Sequence, residues 1–432
     1  MAEIDAPGAP AAPGTARNVL IVLTFVNLFN YIDRFIVPGI TVRLGDALHL
    51  NDTQIGSLAT GFILVYALAA PRFGELGDIR HRPKLIALGV AIWSVATVLG
   101  GFAIGFISLL LARATLGIGE AAYGSIAPSL LADTFPKERR GRVFAIFYSA
   151  IPIGSALGYV IAGAMGEHFG WRSAFWVAGA PGLVLAALLV KLPEVPRGGH
   201  DDAEDAVARH AAPKDASRWA TYGGLLRNRQ YRLTVLGYAA YTFAIGALAV
   251  WLPKFLIQTH HYAQDSAAYL TGAIAVATGF VGTFAGGWLA DYMQKHTRHG
   301  YLLMSGVATL LAVPFTIVAL TAEAPMVFLG ALIVAELLMF ASTGPINSAI
   351  VSYVAPTQRA TAMAFSILLM HLLGDAPSPL IVGFVSDLGR SHGMDAGHAI
   401  QRAMLMLPAA ILVSGIIWTV GAEGGNQPPR IA

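Results

Sequence analysis

A series of long apolar segments constrains the fold of this chain more than any other feature. A helix needs about 20 apolar residues to cross the hydrocarbon core of a bilayer. Only 12% of the residues are charged, about half the share found in soluble domains, which argues against a water-soluble fold. Twelve segments are long enough, and we predict a membrane-spanning helix over each of them: 18–45, 53–78, 84–106, 107–134, 138–167, 171–193, 229–258, 267–292, 299–321, 325–355, 358–387 and 397–421.

Several classes of function are disfavoured by the residues present. The chain has no cysteine, so thiolate metal sites and cysteine nucleophiles are excluded. His296 and His299 are spaced like two metal ligands, but the sequence offers no third. No phosphate-binding loop and no nucleophile–base set is found either. We therefore predict that the protein is not an enzyme, has no cofactor or metal site, and does not use ATP.

The distribution of Lys and Arg predicts the orientation in the membrane. If the N-terminus is cytoplasmic, 20 of the 28 Lys and Arg residues lie on the cytoplasmic side and five on the other. Cytoplasmic loops carry such an excess of positive charge. Lys254 lies near the outer end of the seventh span, where we expect its side chain to snorkel to the interface. Both termini are thus predicted to be cytoplasmic, and the net charge of +3 reflects topology rather than nucleic-acid binding.

One long polar segment divides the chain into two sets of six spans. We interpret it as a cytoplasmic linker, with a regulatory docking site as the alternative. At the N-terminus of the chain, no basic region leads into an apolar core, so we do not expect a cleaved signal peptide. The predicted organisation is a disordered N-terminal lead (1–17), an N-terminal six-helix bundle (18–193), the linker (194–228), a C-terminal six-helix bundle (229–421) and a cytoplasmic tail (422–432).

A short pattern of glycine and an acid four residues later ends every third span. A glycine there lets a neighbouring helix approach closely, and the acid can face the N-terminus of a helix or an Arg in a loop. Adjacent copies end on opposite sides of the membrane, so successive three-span units are inverted. Two halves of 3+3 inverted repeats are typical of secondary transporters, and we predict this all-α architecture. The four copies are Gly74–Asp78, Gly163–Glu167, Gly287–Asp291 and Gly383–Asp387.

The first copy extends into a motif that identifies a superfamily. The segment 74–84, GELGDIRHRPK, resembles the motif between spans two and three of the major facilitator superfamily. It departs from that motif at Ile79, where Arg is usual, and at His81. The resemblance implies the twelve-span fold of the superfamily. It also implies that Asp78 meets the N-terminus of span eleven on the cytoplasmic side, with Arg82 bracing it.

Within the superfamily, the chain most resembles the spinster family. The resemblance is carried mainly by the first half of the chain. By position in the motifs, we predict gating roles for Gly74, Asp78, Arg82 and Asp291. The segments that match the spinster family are NLFNYIDRF (27–35), RATLGIGEA (113–121), APSLLAD (127–133) and FYSAIPIGS (147–155).

Four ionisable residues lie within the predicted spans one and four, where charge is costly and usually functional. Span one contains Asp33 and Arg34, and span four contains Arg113 and Glu120. The second pair is seven residues apart, about two helical turns, so both side chains share one face. We predict that Asp33 and Glu120 are proton carriers and that Arg34 and Arg113 are their counter-charges. The alternative is a permanent salt-bridge cluster that only fixes helix packing.

Other polar and aromatic residues in the spans are weaker candidates for lining a cavity. Glu336 in span ten has no obvious partner. His371 and Asp375 are one turn apart in span eleven and are expected to pair in a bent helix. Tyr31 and Tyr148 are included as aromatic candidates, although such residues usually pack against helices or lipid.

The resemblance implies a proton-coupled transporter that works by alternating access. Its expected substrate is amphipathic and lipid-like, such as a lysophospholipid or a sphingoid phosphate, exported from the cell. The two arginines would bind an anionic head group. We expect a monomer in a bacterial inner membrane, in contact with membrane lipids. The alternatives are a drug/proton antiporter, an organic-anion symporter, or, from another class, an uncoupled lipid scramblase or a membrane sensor.

Overall fold

The computed structural model describes residues 13–197, 218–297, 299–355 and 358–423. All regular structure in these ranges is helical. Most of the predicted N-terminal lead, residues 198–217 of the predicted linker and the tail from 424 onward lie outside the described residues.

Seventeen helices follow one another along the described chain. We number them in chain order, and a short π-helical segment, His371–Asp375, separates two of them. The helices are α1 (Pro13–Gly39), α2 (Thr41–Leu48), α3 (Asp52–Ile79), α4 (Arg82–Gly100), α5 (Phe106–Thr134), α6 (Lys137–His168), α7 (Trp171–Val190), α8 (Arg218–Arg227), α9 (Arg229–Gln258), α10 (Gln264–His296), α11 (Gly300–Thr321), α12 (Pro325–Phe340), α13 (Thr343–Ser352), α14 (Arg359–Met370), α15 (Pro377–Ser391), α16 (Ala396–Met404) and α17 (Met406–Ala422).

Twelve spans in the described chain are long and apolar enough to cross a membrane. The predicted number is therefore confirmed, and most span ends agree with the prediction within a few residues. The larger differences are an earlier end of the third span, at Gly100 instead of residue 106, and interruptions within other spans. The first predicted span is divided between α1 and α2 just after Pro38 and Gly39. The tenth is divided at Ala341 between α12 and α13.

The eleventh span is interrupted in the region where its glycines and prolines predict a bend. His371–Asp375 is π-helical, and Pro377 begins α15 immediately after it. Gly374 lies against α9: a Cβ atom there would come 2.1 Å from the hydroxyl of Thr242. The local widening of the helix therefore lies at a close approach to α9, and π-bulges are frequent at functional sites.

The helices form two compact units. Of the described residues, the first unit contains 13–49 and 61–197, and the second contains Leu50–Thr60 and all residues from Arg218 onward. The first nine residues of α3, 52–60, are thus counted with the second unit and the rest with the first. The predicted division into domains at 18–193 and 229–421 stays a prediction.

Small residues allow the helices within the first unit to approach closely. Helix α1 packs on α6, and α4 packs on both α5 and α7. A Cβ atom at Gly119 of α5 would come 2.4 Å from the carbonyl oxygen of Gly89 in α4. Trp93 of α4 is buried at the same contact. This contact brings the backbones of α4 and α5 together and fixes the face that α5 presents to α1.

Candidate functional site

The four charged residues predicted from spans one and four lie together inside the first unit. The Nε of Arg34 donates to Oε2 of Glu120 at 2.6 Å, and Nη1 of Arg113 lies 3.6 Å from Oδ1 of Asp33. Asp33 and Glu120 are both completely buried. Two neighbouring residues of α1 thus pair crosswise with two residues on one face of α5, and each acid meets a base.

The close approach of α3 to α5 completes this arrangement. A Cβ atom at Gly117 would come 2.6 Å from the carbonyl oxygen of Phe62 in α3. Gly117 lies between Arg113 and Glu120 in the sequence, on the stripe that carries both. The missing side chain at this position lets α3 bring aromatic rings up to the charged residues.

Aromatic rings cover the two guanidinium groups. The ring of Phe62 lies 5.2 Å from the Cζ of Arg34 and 5.1 Å from that of Arg113. The rings of Tyr31 and Tyr66 each lie 5.1 Å from the Cζ of Arg34. These distances are within the range of cation–π attraction, so the aromatic residues stabilise both guanidinium groups.

Uncharged polar groups also contact the two acids. The hydroxyl of Thr97 in α4 donates to Oδ2 of Asp33, and the buried amide of Asn30 lies beside Glu120. Neither residue is among the sequence-based candidates. Thr97 lies 64 positions from Asp33, and its hydroxyl resembles that of any threonine in a span, so the sequence alone carries no signal that pairs them.

The cluster is not saturated with hydrogen bonds. Within the described residues, Oδ1 of Asp33, Oε1 of Glu120, and Nε and Nη1 of Arg113 are buried atoms without a hydrogen-bond partner. Buried polar groups are normally paired. Both an acid and a base of the cluster therefore keep free hydrogen-bonding capacity in the described part of the chain.

The other candidates of the spans lie in different places. Tyr148 is about half exposed and stacks on Phe144. In the second unit, Glu336 is buried and lies 2.8 Å from the hydroxyl of Thr278. His371 pairs with Asp375 as expected, with its Nδ1 2.9 Å from Oδ1. Their participation in a cavity stays a prediction.

The residues predicted to form the gate are dispersed. Asp78 is exposed, and a Cβ atom at Gly74 would meet nothing within 4 Å. Asp291 accepts a hydrogen bond of 3.0 Å from the hydroxyl of Tyr301. Arg82 is buried and bonds Asp133 at 2.5 Å. Arg82 also bonds Glu194, at 2.7 Å. No bond between Arg82 and Asp78 occurs in the part of the chain described here, so the gating roles stay predictions.

Two other copies of the glycine–acid pattern make the contacts expected of its acid. Glu167 forms an ion pair with Arg43, which lies in α2 after the first span. Asp387 caps the N-terminus of α3, where it accepts from the backbone amides of Asp52 at 3.1 Å and Thr53 at 2.8 Å. It also accepts from the hydroxyl of Thr53 at 2.6 Å. A carboxylate in this position satisfies free amides at a helix N-terminus.

A buried ion pair supports the same end of α3. Lys254 donates to the carboxylate of Asp52, which also accepts from Ser386 at 2.7 Å. Lys254 is only 4% exposed. The expectation that it snorkels to the interface is therefore wrong, because an acid 202 positions away in the sequence provides a buried counter-charge that the sequence does not indicate.

Metal binding finds no support in the described part of the chain. No group of three or more His, Asp or Glu side chains is placed there to hold a metal ion. His296 instead contacts the carbonyl oxygen of Tyr292 at 2.8 Å, and His299 contacts the hydroxyl of Tyr353 at 3.0 Å.

Comparisons with known proteins agree on the fold and the family. The model of the Major Facilitator Superfamily matches residues 23–379. Protein spinster homolog 1 of Homo sapiens is 34% identical over 87% of this chain and 74% of its own length. Protein spinster of Drosophila melanogaster is 35% identical over 86% of this chain and 62% of its own length.

A solved structure has the same fold over nearly the whole chain. It is described as a bacterial homolog of the human lysosomal transporter spinster in an inward-facing and occupied conformation. The TM-score is 0.82 at 22% identity, and the match covers 95% of this chain and 97% of the solved one. The predicted all-α fold with twelve spans is thus confirmed.

Proposed function

The chain belongs to the spinster family of the major facilitator superfamily, and we propose that it is a proton-coupled exporter of an amphipathic, lipid-like substrate. Members of this family are transporters rather than enzymes. The protein is accordingly a multi-pass membrane transporter of small molecules with an alternating-access fold. The coupling ion, the class of substrate and the direction of transport are the proposed part.

The observation that carries proton coupling is the crosswise pairing of the buried acids and bases. Asp33 and Glu120 are each held by an arginine on the facing helix, and each keeps one oxygen for which the described residues provide no hydrogen-bond partner. Burial favours the neutral form of a carboxyl group, whereas a nearby guanidinium favours the charged form. A movement that separates α1 from α5 would therefore cause an acid to bind a proton.

A lipid-like substrate with an anionic head group is consistent with the surroundings of Arg34. Its side chain is 22% exposed, whereas its partner Glu120 is completely buried. Phe62, Tyr31 and Tyr66 surround the guanidinium group. An anionic head could compete with Glu120 for Arg34 while aromatic and apolar groups contact the chain of the lipid. Competition of this kind would couple binding of the substrate to protonation of Glu120.

The orientation and gating of the protein form part of the same proposal. The excess of Lys and Arg on one side supports cytoplasmic termini in a bacterial inner membrane, and one copy of the chain contains the whole charged cluster, which fits a monomer. Asp78, Gly74, Arg82 and Asp291 would act at the cytoplasmic side. The alternatives remain export of hydrophobic drugs, symport of organic anions, an uncoupled scramblase and a membrane sensor.

The proposal is tested by measuring proton movement in proteoliposomes on addition of a panel of lysophospholipids. The native protein should move protons only when a transported lysophospholipid is added. Asp33→Asn and Glu120→Gln keep the size of each side chain but cannot carry the proton, so each should abolish the proton flux. Arg390→Gln is a matched control, because Arg390 is an exposed charged residue of α15, and it should leave the flux unchanged.

Two results would contradict the proposal. Lipid movement that is independent of pH and survives both substitutions would indicate a passive lipid pathway with a structural charge cluster. Proton flux driven by drugs or small organic anions, but by no lysophospholipid, would support the alternative transporters instead.

A further inference from the structure

Glu336 is the one acidic residue of α12 and it is buried in the second unit. It is 4% exposed, and within the described residues no cation lies at ion-pair distance from it. Its contact is the hydroxyl of Thr278 in α10, 2.8 Å from Oε2. A buried carboxyl without a cation is costly in its charged form and is stabilised when it takes up a proton.

The hydroxyl of Thr278 has one proton and two neighbouring acceptors. It lies 2.7 Å from the backbone carbonyl oxygen of Ile274 and 2.8 Å from Glu336. The carbonyl oxygen can only accept a hydrogen bond. When the hydroxyl donates to Ile274, the contact with Glu336 needs a proton on the carboxyl group. When the carboxyl is ionised, the hydroxyl can turn and donate to it instead.

The same positions of the heavy atoms of Glu336 and Thr278 are therefore compatible with both protonation states of the carboxyl group. In the protonated state, Oε2–H of Glu336 donates to Oγ1 of Thr278, and the threonine donates to the carbonyl of Ile274. Loss of the proton to water leaves a carboxylate, and the threonine proton rotates to it. A proton can enter or leave without a change of rotamer, since a hydroxyl hydrogen rotates freely about its bond.

The surroundings of Glu336 contain few groups that could disturb this exchange. Among the described residues, Tyr241 of α9 is a titratable residue close to Glu336, and its hydroxyl donates to the carbonyl oxygen of Met339 at 2.8 Å. Helix α10 has charged or titratable residues near its two ends, about 20 Å or more along the helix from Thr278: Asp265, Asp291, Lys295 and His296. The sequence of α11 contains no charged residue.

We propose that Glu336 and Thr278 form a second proton-binding site, located in the second unit and separate from the acids of the first. The proposal deepens the proposed function and rests on it, because it assigns a second proton to the same transport cycle. The first unit holds acids with arginine partners, whereas this site holds an acid with a hydroxyl that can serve as donor or acceptor.

The direct test is infrared spectroscopy of the purified full-length protein in lipid nanodiscs over a pH titration. A protonated carboxyl group has a carbonyl stretch that a carboxylate lacks. The native protein should show a carboxylic-acid band that disappears reversibly as the pH rises. Glu336→Gln should lack that band, since the amide has the same size and can still donate to Thr278 but has no proton to lose. The double variant Asp33→Asn/Glu120→Gln should keep it.

Variants of Thr278 show whether the hydroxyl participates. Thr278→Ser keeps the hydroxyl and should keep the band at its native frequency. Thr278→Val removes the hydroxyl at nearly constant size and should move the band to higher frequency, because the protonated carboxyl loses its acceptor. Thr278→Ser also guards against misfolding of the other variant, because it still reports on the site if Thr278→Val does not fold.

The outcome is independent of whether the transported molecule is a lysophospholipid. A band that is absent from the native protein, or present but unchanged across the titration, would overturn the site as a place of proton exchange even if proton-coupled transport is found. A titrating band in a protein without proton flux would retain the site and contradict the proposed function. If both hold, Glu336→Gln should lower by one the number of protons moved per lysophospholipid in proteoliposomes.

Discussion

Asp33 and Glu120 show how a membrane interior accommodates charge at the level of single residues. Each acid is completely buried, and each has an arginine on another helix rather than on its own. Breaking one partner of such a buried pair leaves an uncompensated charge and is strongly destabilising, by about 3–5 kcal/mol. Neutral substitution of either acid leaves its arginine without a counter-charge in the same way, so a loss of flux in such a variant is interpreted only after its melting temperature shows that it is folded.

The sequence allows the charged residues to be predicted but not all of their contacts. Ionisable residues in an apolar segment stand out in any sequence, and the seven-residue spacing places Arg113 and Glu120 on one face. The crosswise pairing depends on how α1 and α5 are rotated, which the sequence does not state. Thr97 and Phe62 were missed because a threonine or a phenylalanine in a membrane span is ordinary unless the neighbouring helix is known.

The close packing at Gly119 leads to a prediction about the stability of the protein. Replacement by alanine would place Cβ 2.4 Å from the carbonyl oxygen of Gly89 and 2.7 Å from the backbone nitrogen of Trp93. Backbone atoms cannot rotate away, so α4 and α5 must separate. Overpacking of this kind costs about 1–3 kcal/mol. We expect Gly119→Ala to lower the melting temperature of the purified protein in thermal-shift measurements.

Gly330 of α12 is the matched control. It is an exposed helical glycine, and a Cβ atom there would meet nothing within 4 Å. Because alanine favours a helix over glycine by up to about 1 kcal/mol, Gly330→Ala should leave the melting temperature unchanged or raise it. Equal melting temperatures for the two variants would show that α4 and α5 do not pack as closely as described.

At the scale of helices, the beginning of α3 is held more firmly than the sequence suggests. Asp387 caps its first amides, and the pair of Asp52 and Lys254 lies beside the cap. A Cβ atom at Gly56 would come 2.2 Å from the carbonyl oxygen of Pro379. Asp387 therefore has at this end of α3 the role that the resemblance assigns to Asp78 at span eleven.

These contacts predict that Asp387→Asn loosens the beginning of α3. Charge-assisted hydrogen bonds contribute about 1.5–3 kcal/mol each, so loss of the charge should make local opening at least about tenfold more frequent. The chain has no cysteine, so Ile55→Cys, at a position only 1% exposed, gives a single-cysteine reporter. Its reaction with a water-soluble maleimide should accelerate by that factor.

Arg390 is an exposed residue of α15, the helix that contains Asp387. Arg390→Gln is the matched control and should leave the labelling rate of the Ile55→Cys reporter unchanged. An unaltered rate in the Asp387→Asn protein would indicate that the cap does not restrain this end of α3. The experiment needs no substrate, so it examines the helix contact separately from the proposed function.

The helices themselves could be predicted from the sequence, because twelve apolar segments of bilayer length leave few alternatives. The two interruptions are also marked in the sequence. Gly39 and Pro38 mark the end of α1, and Gly344 and Pro345 lie in the first turn of α13, directly after the break at Ala341. Pro345 has no amide hydrogen, so it cannot donate to the carbonyl oxygen of Ala341 as a continuous helix would require. There the hydroxyl of Ser342 reaches the carbonyl oxygen of Ser305 at 3.3 Å, a contact between distant segments.

At the scale of the whole molecule, the 3+3 repeat pattern predicts a fold that the superfamily match and the solved relative confirm. The buried ionisable residues, however, differ between the two units. The first unit contains the paired acids and arginines, and the second contains Glu336 without a cation among its described neighbours. Symmetry of the fold therefore does not predict symmetry of the sites.

The central claim is that transport of a lipid-like substrate is coupled to protons. The most direct measurement follows a labelled lysophospholipid in proteoliposomes under pH gradients of opposite sign, with the membrane potential clamped. The account predicts that net movement of the lipid reverses when the gradient is reversed, and that Asp33→Asn abolishes this dependence. Equilibration of the lipid to the same level under both gradients would contradict coupling and would identify a passive pathway.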